Sequence, residues 1–402
     1  MSRHVIPLAP VTLAAAPAGS GLTSLPPLSL YLHYPWCVRK CPYCDFNSHE
    51  ARDPVSEAAY LDALVRDLES ALPQIWGRRI VSIFIGGGTP SLLSAAGLES
   101  LLMAVRARLP LLADAEITLE ANPGTLEAGK FAAYRAAGIN RLSLGIQSFN
   151  DRHLAALGRI HDATEACQAI ELALRHFDNI NLDLMYALPQ QTLAEAQQDI
   201  ARAVSFGSSH LSAYHLTLEP NTPFHRTPPP LPDDDLAADM QDMVEETLTG
   251  QGFEHYETSA YARRGRRCVH NLNYWTFGDY LGIGAGAHGK ISSPTGIVRE
   301  VRRRHPRDYL EAAAQGSFCS ERNDLPVLDR PFEFMMNALR LNEGFAPALF
   351  EAHTGLPLAT LSESLLAAQR AGLLTMTPEH IAPTAQGRRF LNDLLTMFLP
   401  VP

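Results

Sequence analysis

Apolar and polar positions repeat along this chain with two different periods. Six short runs rich in leucine and β-branched residues read as strands: "LSLYLHY", "IVSIFIGGG", "AEITLEANPG", "INRLSLGIQSF", "NINLDLMYALP" and "HLSAYHLTLEP". Between them lie stretches with apolar residues at helical spacing, such as "SEAAYLDALVRDLESAL" and "SAAGLESLLMAVRARL". Strand–helix–strand alternation requires crossovers, so the pattern predicts a parallel sheet with right-handed connections. Six such units fill positions 28–220. That is too few for a closed eight-stranded barrel and suits an open (β/α)6 barrel of the α/β class.

Beyond Pro220 the pattern changes. "NTPFHRTPPPLPDDD" reads as a proline-rich linker that opens a helix near Asp233. A strand-like "FEHYETSAYA" and a glycine-rich "YLGIGAGAHGK" follow. From about Pro326 the period is helical, and "ATLSESLLAAQRAGLL" with "IAPTAQGRRFLNDLL" suggests a small winged-helix-like module. The expected division is a flexible lead-in over 1–27, a core over 28–220, a linker and barrel-completing segment over 221–325, and a C-terminal helical domain over 326–402.

Composition narrows the class. The 402 residues are 46% hydrophobic and 19% charged, as in a globular protein. A formal net charge of -10 argues against a nucleic-acid backbone as partner. The C-terminal module carries five Arg or Lys against seven Asp or Glu, so its winged-helix look does not imply DNA binding. No apolar run reaches the ~18 residues of a membrane span. The opening "MSRHVIPLAPVTLAAAPAGSGLTSLPPLSL" is apolar, but its prolines interrupt any signal-peptide core, which points to the cytoplasm.

Six cysteines are too sparse for a disulfide scaffold, yet Cys37, Cys41 and Cys44 sit together as C-x3-C-x2-C. Zinc would want a fourth ligand, for which His33 and His49 are the nearest candidates. The other reading is a [4Fe-4S] cluster with one iron left open. Chemically distinctive residues recur where strands end. These are Gly86–Thr89 after the second, Glu120 at the third and Gln147 at the fourth. Asp183 lies in the fifth, with Tyr214 and His215 in the sixth. Any one could be a helix cap or a tight turn, but barrels carry their chemistry at these ends.

Here the chain resembles the radical SAM superfamily, whose C-x3-C-x-aromatic-C signature matches Cys37, Cys41, Tyr43 and Cys44. In that family the open iron chelates S-adenosylmethionine (SAM), and Tyr43 would pack on adenine. "GGGTP" at Gly86–Pro90 resembles its second-strand motif, where glycine permits close approach of the ligand. Positions 28–290 resemble the branch of oxygen-independent coproporphyrinogen III oxidases. That branch implies SAM contacts from Tyr31, Gly87, Gly88, Thr89, Glu120, Gln147, Arg159 and Asp183, carried by "EANPG", "GIQSF", "LGRIH" and "NLDLMYALPQQT". The oxidase has a fourth cysteine where this chain has Phe46, which argues against coproporphyrinogen III dehydrogenase activity. "HNLNYW", His270 to Trp275, resembles instead the H-N-x-x-Y-W motif of the HemW-type heme chaperones.

That likeness implies heme as cargo, with His270 as the axial ligand. It also implies recipient hemoproteins as partners, peripheral membrane association through the recipient, and a homodimer as one state. The alternatives are a radical SAM enzyme of the oxidase type and a zinc-binding interaction protein. A plainer alternative for His270 is packing at the barrel mouth. The Arg263–Arg267 and Arg302–Arg304 runs read first as solvated loops, although arginine also grips propionates. Cys167, Cys268 and Cys319 read as structural.

Overall fold

The computed structural model describes residues 21–22, 24–51, 56–124 and 129–400. Most of the expected lead-in therefore lies outside the described residues.

All six runs form strands. They are β1 (Leu28–Tyr34), β2 (Ile80–Gly87), β3 (Leu111–Ala121), β4 (Arg141–Gln147), β5 (Ile180–Tyr186) and β6 (His210–His215). They pair in parallel in that order. The crossover helices cover the outer face, and their ends follow from local chemistry. Helix α1 (Glu57–Ala71) is capped by the Ser56 hydroxyl, which accepts from the Ala59 amide. Helices α2 (Ala163–His176) and α3 (Leu193–Ser205) each open on a capping box, Asp162 with Glu165 and Thr192 with Glu195. Helix α4 (Asp234–Gly250) starts at the Asp233 cap that the linker's sequence foretold.

The barrel-completing segment adds to these six units. The parallel run has seven strands, because β9 (Asp279–Ile283) pairs with the free side of β1 from Leu28↔Asp279 to Leu32↔Ile283. The run "DYLGI" is five residues long and broken by a glycine, and its partner lies some 250 positions away, so local periodicity does not mark it. Antiparallel strands extend both edges. On one side β8 (Ala260–Ala262) and β7 (Glu254–Glu257) follow β6. On the other, β10 (His288–Ser293), β11 (Gly296–Arg302) and β12 (Cys319–Asp324) follow β9. The result is one twelve-stranded sheet curled as an open barrel, ordered β12-β11-β10-β9-β1-β2-β3-β4-β5-β6-β8-β7. The strand-like "FEHYETSAYA" and the glycine-rich stretch thus extend the barrel's two edges.

The C-terminal region is helical, with Arg330–Ala338, Pro347–Thr354 and Ser362–Arg370 as its longer helices and a hairpin of Leu374–Met376 with Ile381–Pro383. Its apolar cluster includes Phe334, Phe345 and Phe350 and reaches Phe277 and Ile297 on the barrel. Among the described residues no helix is long and apolar enough to cross a membrane.

Candidate functional site

The loop carrying the three cysteines is held from two strands. Where β2 ends, the Gly88 amide donates to the Tyr34 carbonyl at 2.7 Å and the Thr89 amide to the Trp36 carbonyl at 2.8 Å. A Cβ on Gly88 would lie 2.5 Å from the Trp36 oxygen, and one on Gly87 would lie 2.6 Å from the His33 ring. Gly87 has φ +117°, outside the range of L side chains. The glycines therefore serve first to seat this loop on the barrel, a reason distinct from the ligand approach expected of them. Beyond the ends of β9 and β11, the Ala285 and Arg304 carbonyls accept from Asn47 Nδ2 at 2.9 and 2.8 Å. Lys40 Nζ closes the loop on the Phe46 and Ser48 carbonyls.

A chamber of about 350 Å³ opens at the carboxyl ends of the strands. Cys37, Cys41 and Cys44 line it together with Tyr43, Gly87, Gly88, Thr89, Glu120, Gln147, Arg159 and Asp183. Arg159 reaches it from beyond β4: Nη2 donates to Asn122 Oδ1 at 2.6 Å and the Gly145 carbonyl at 2.8 Å, and Nη1 stands 3.7 Å from Cys41 Sγ. Gln147 adopts φ +69°, an unusual conformation for a side-chain-bearing residue. Tyr43 leans on Phe224, with ring centroids 6.4 Å apart.

The electrostatics favour a ligand that donates hydrogen bonds and carries positive charge. Burial, then the neighbouring Asp183, pushes the Glu120 carboxyl up to about 8, although the Gly87 amide donates to it at 3.0 Å. Burial also raises Asp183, which accepts from Ser143 and Asn181 at 2.8 Å each. Burial raises the Cys37 and Cys44 thiols.

The donor set discriminates between metals. Two thiolates on one zinc ion lie within about 4.6 Å of each other, since Zn–S is ~2.3 Å. The three thiols are not mutually close enough to share a single ion. Among the described residues no fourth donor joins the three thiols in a close ligand group, and three thiols alone fit a cluster with one open iron. A chamber with two desolvated carboxylates beside it fits a cationic, hydroxyl-bearing ligand.

A second cavity, about 510 Å³, adjoins the first and shares Asp45, Phe46, Gly87 and Glu120 with it. Its wall is aromatic, with Tyr31, Phe84, Tyr274, Trp275, Phe277 and Tyr280. Phe46, at 59% exposure, stands between the two spaces. Tyr31, expected to contact SAM, lines this second cavity, its hydroxyl 2.7 Å from His33 Nδ1.

His270, expected to offer a nitrogen to heme, is not among the residues that line either cavity. It is the second residue of α5 (Val269–Trp275), 5% exposed and stacked on Phe84 at 4.2 Å. Its Nδ1 lies 3.0 Å from Glu116 Oε1 and 3.2 Å from Cys268 Sγ. The physical reason is a cap. Glu116 accepts from the amides of Val269 and His270, which are orphan donors in the first turn of α5. Burial alone would raise the Glu116 carboxyl. The bond from His270 and the charge of Arg141, whose Nε is 3.8 Å away, outweigh it and hold it at about 2. Burial lowers the His270 imidazole, against the pull of the Glu116 carboxylate beside its Nδ1. Glu116, Cys268 and His270 stand close enough to hold one ion, but Arg141 already supplies the positive charge.

Residues not anticipated include Ser143 and Asn122 in the first chamber, and His288 and Lys290 in the second. Asn122 lies inside the quoted "EANPG", and His288 follows the glycine-rich turn, which are the signals that could have found them. Of the arginine runs, Arg302 is buried and paired with Asp67 and Glu300, and Arg267 pairs with Glu254 and Glu343. Arg304 is exposed on the rim of the aromatic cavity.

Residues 31–203 match the Radical SAM superfamily, and residues 325–390 match the HemN C-terminal domain. The chain is 50% identical over 383 residues to the heme chaperone HemW of Escherichia coli, covering 94% of this chain and all of that protein. It is 48% identical to the heme chaperone HemW of Haemophilus influenzae over 384 residues, 94% of this chain and 99% of that one. Among solved structures, coproporphyrinogen III oxidase (HemN) from Escherichia coli superposes with a TM-score of 0.79 at 25% identity, over 93% of this chain and 90% of that one.

Proposed function

Because the chain belongs to the HemW family of radical SAM proteins, we propose that it is a heme chaperone that binds a [4Fe-4S] cluster, SAM and heme and passes heme to recipient hemoproteins. Cys37, Cys41 and Cys44 hold the cluster. Tyr31, Tyr43, Gly87, Gly88, Thr89, Glu120, Gln147, Arg159 and Asp183 hold SAM, the carboxylates meeting its hydroxyls and positive charge. When bound, the cluster and SAM supply one-electron reductive chemistry. Heme occupies the aromatic cavity. The observation that carries this reading is the common wall: a three-thiol chamber and an aromatic cavity of cofactor size share Phe46, Gly87 and Glu120. Loading of one space therefore bears on the other through Phe46.

The protein works in the cytoplasm, reaches membranes through its recipients, and dimerises in at least one loaded state. The lead-in, core, barrel-completing segment and C-terminal domain act as the units read from the sequence.

The test is a hemin titration of the anaerobically reconstituted chain, followed by mixing with an apo-hemoprotein. Saturable one-to-one binding followed by transfer is expected, with four irons per chain and no protoporphyrinogen from coproporphyrinogen III. Protoporphyrinogen formation would favour the oxidase reading, for which the 25% identical structure speaks. Zinc without labile sulfide would favour an interaction protein.

A further inference from the structure

The heme reading leaves the iron ligand unassigned once His270 is removed, and the cavity wall itself narrows the choice. Side chains able to ligate ferric iron there are His33, His288, Lys290, Glu120, Asp45 and the tyrosines. His33 uses both nitrogens, Nδ1 with Tyr31 at 2.7 Å and Nε2 with the Asn47 carbonyl at 2.9 Å. Lys290 Nζ is bound to the Phe277 carbonyl and to Asp279 Oδ1, each at 2.9 Å. Tyr31 and Tyr280 are bonded to His33 and Arg299, and burial keeps Tyr274 a neutral phenol. Glu120 belongs to the other chamber's wall as much as to this one, and so does Asp45.

His288 differs from all of these. It is the first residue of β10, exposed, and its imidazole has no hydrogen bond or ion pair among the described residues. Arg304 stands close enough for its charge to act on that ring, lines the same rim, and likewise has no ion pair among the described residues. The neighbouring Arg299 is committed to Glu333 and Tyr280. A free imidazole and a free guanidinium thus meet at the mouth of an aromatic cavity. A flat iron tetrapyrrole bearing carboxylates needs that pair of groups: a nitrogen for the metal and a planar cation for a propionate.

We propose that His288 is the axial ligand to the heme iron and that Arg304 holds a heme propionate. This rests on the heme-chaperone reading. His270 has no part in ligation; it only positions α5, and with it Tyr274 and Trp275.

The test titrates the reconstituted full chain with hemin and, in parallel, with metal-free protoporphyrin, in wild type, His288→Ala, Arg304→Ala and His270→Ala. His288→Ala is expected to shift the Soret maximum and weaken hemin about tenfold or more. The metal-free porphyrin should be unaffected, and added imidazole should restore the wild-type spectrum. Arg304→Ala is expected to weaken both porphyrins about tenfold, and the effect should vanish for the dimethyl ester. A Soret band and affinity unchanged in His288→Ala, with wild type binding normally, overturns the ligand assignment and leaves the chaperone reading standing. A Soret shift confined to His270→Ala overturns it likewise. Failure of wild type to bind hemin at all overturns the underlying reading instead.

Discussion

Replacing Glu116 by Gln tests the claim that His270 is a structural residue. The substitution keeps the shape and one acceptor oxygen but removes the charge that faces Arg141. Glu116 and Arg141 are 6% and 3% exposed, so no water screens the loss. Breaking one partner of a buried pair costs about 3–5 kcal/mol. A second route to the magnitude is the carboxyl itself, which drops from an ordinary value of 4.5 to about 2. At about 1.4 kcal/mol per pH unit, that is roughly 3 kcal/mol. The two routes agree on about 3 kcal/mol, carried by the His270 bond, the Arg141 charge and the amides that begin α5.

The sign follows from the direction of the shift. A depressed carboxyl stabilises the fold above its unfolded value, and that stability is lost as pH falls through the folded one. The gap between wild type and Glu116→Gln should therefore be full at neutral pH and should close between about pH 4 and pH 2. Urea unfolding followed by tryptophan fluorescence measures it, since Trp275 sits at the end of α5. A Glu116→Gln protein within about 0.5 kcal/mol of wild type at pH 7 would refute the capping argument. So would a gap that persists unchanged at pH 3.

Three further outcomes are expected. SAM binding should release close to one proton at pH 7 and almost none at pH 9, because its hydroxyls and charge draw Glu120 from about 8 back into its ionised form; calorimetry in buffers of different ionisation enthalpy reads the count, and equal release at both pH values would contradict it. Gly88→Ala places a methyl 2.5 Å from the Trp36 carbonyl, a clash worth about 1–3 kcal/mol against backbone; iron and labile sulfide per chain should fall below wild type, and full loading would show that the loop seat tolerates a side chain. Trp275→Ala should weaken hemin about tenfold with cluster content unchanged, and loss of the cluster as well would mean the two spaces are not separable.

The sequence by itself determined the six runs that became β1 to β6, the capped helices between them, and the cysteine spacing. These are local properties: period, cap chemistry and loop glycines act within a few residues, so one chain is enough to read them. Residues at successive strand ends were also legible, because a parallel barrel gathers all its carboxyl ends at one mouth. Tertiary structure alone decided the rest. β9 joined the sheet through a partner some 250 positions away, which no window of sequence spans. Tyr31 and His270 each stood in a suggestive motif, and packing decided that one lines the second cavity while the other is held by Glu116 on β3. A motif fixes which groups the chain carries. Which nitrogen stays free depends on the neighbours that packing brings to it, and here those neighbours are Glu116, Phe84 and Arg141 for His270, and the charges of Arg304, Glu321 and Arg299 around an exposed His288.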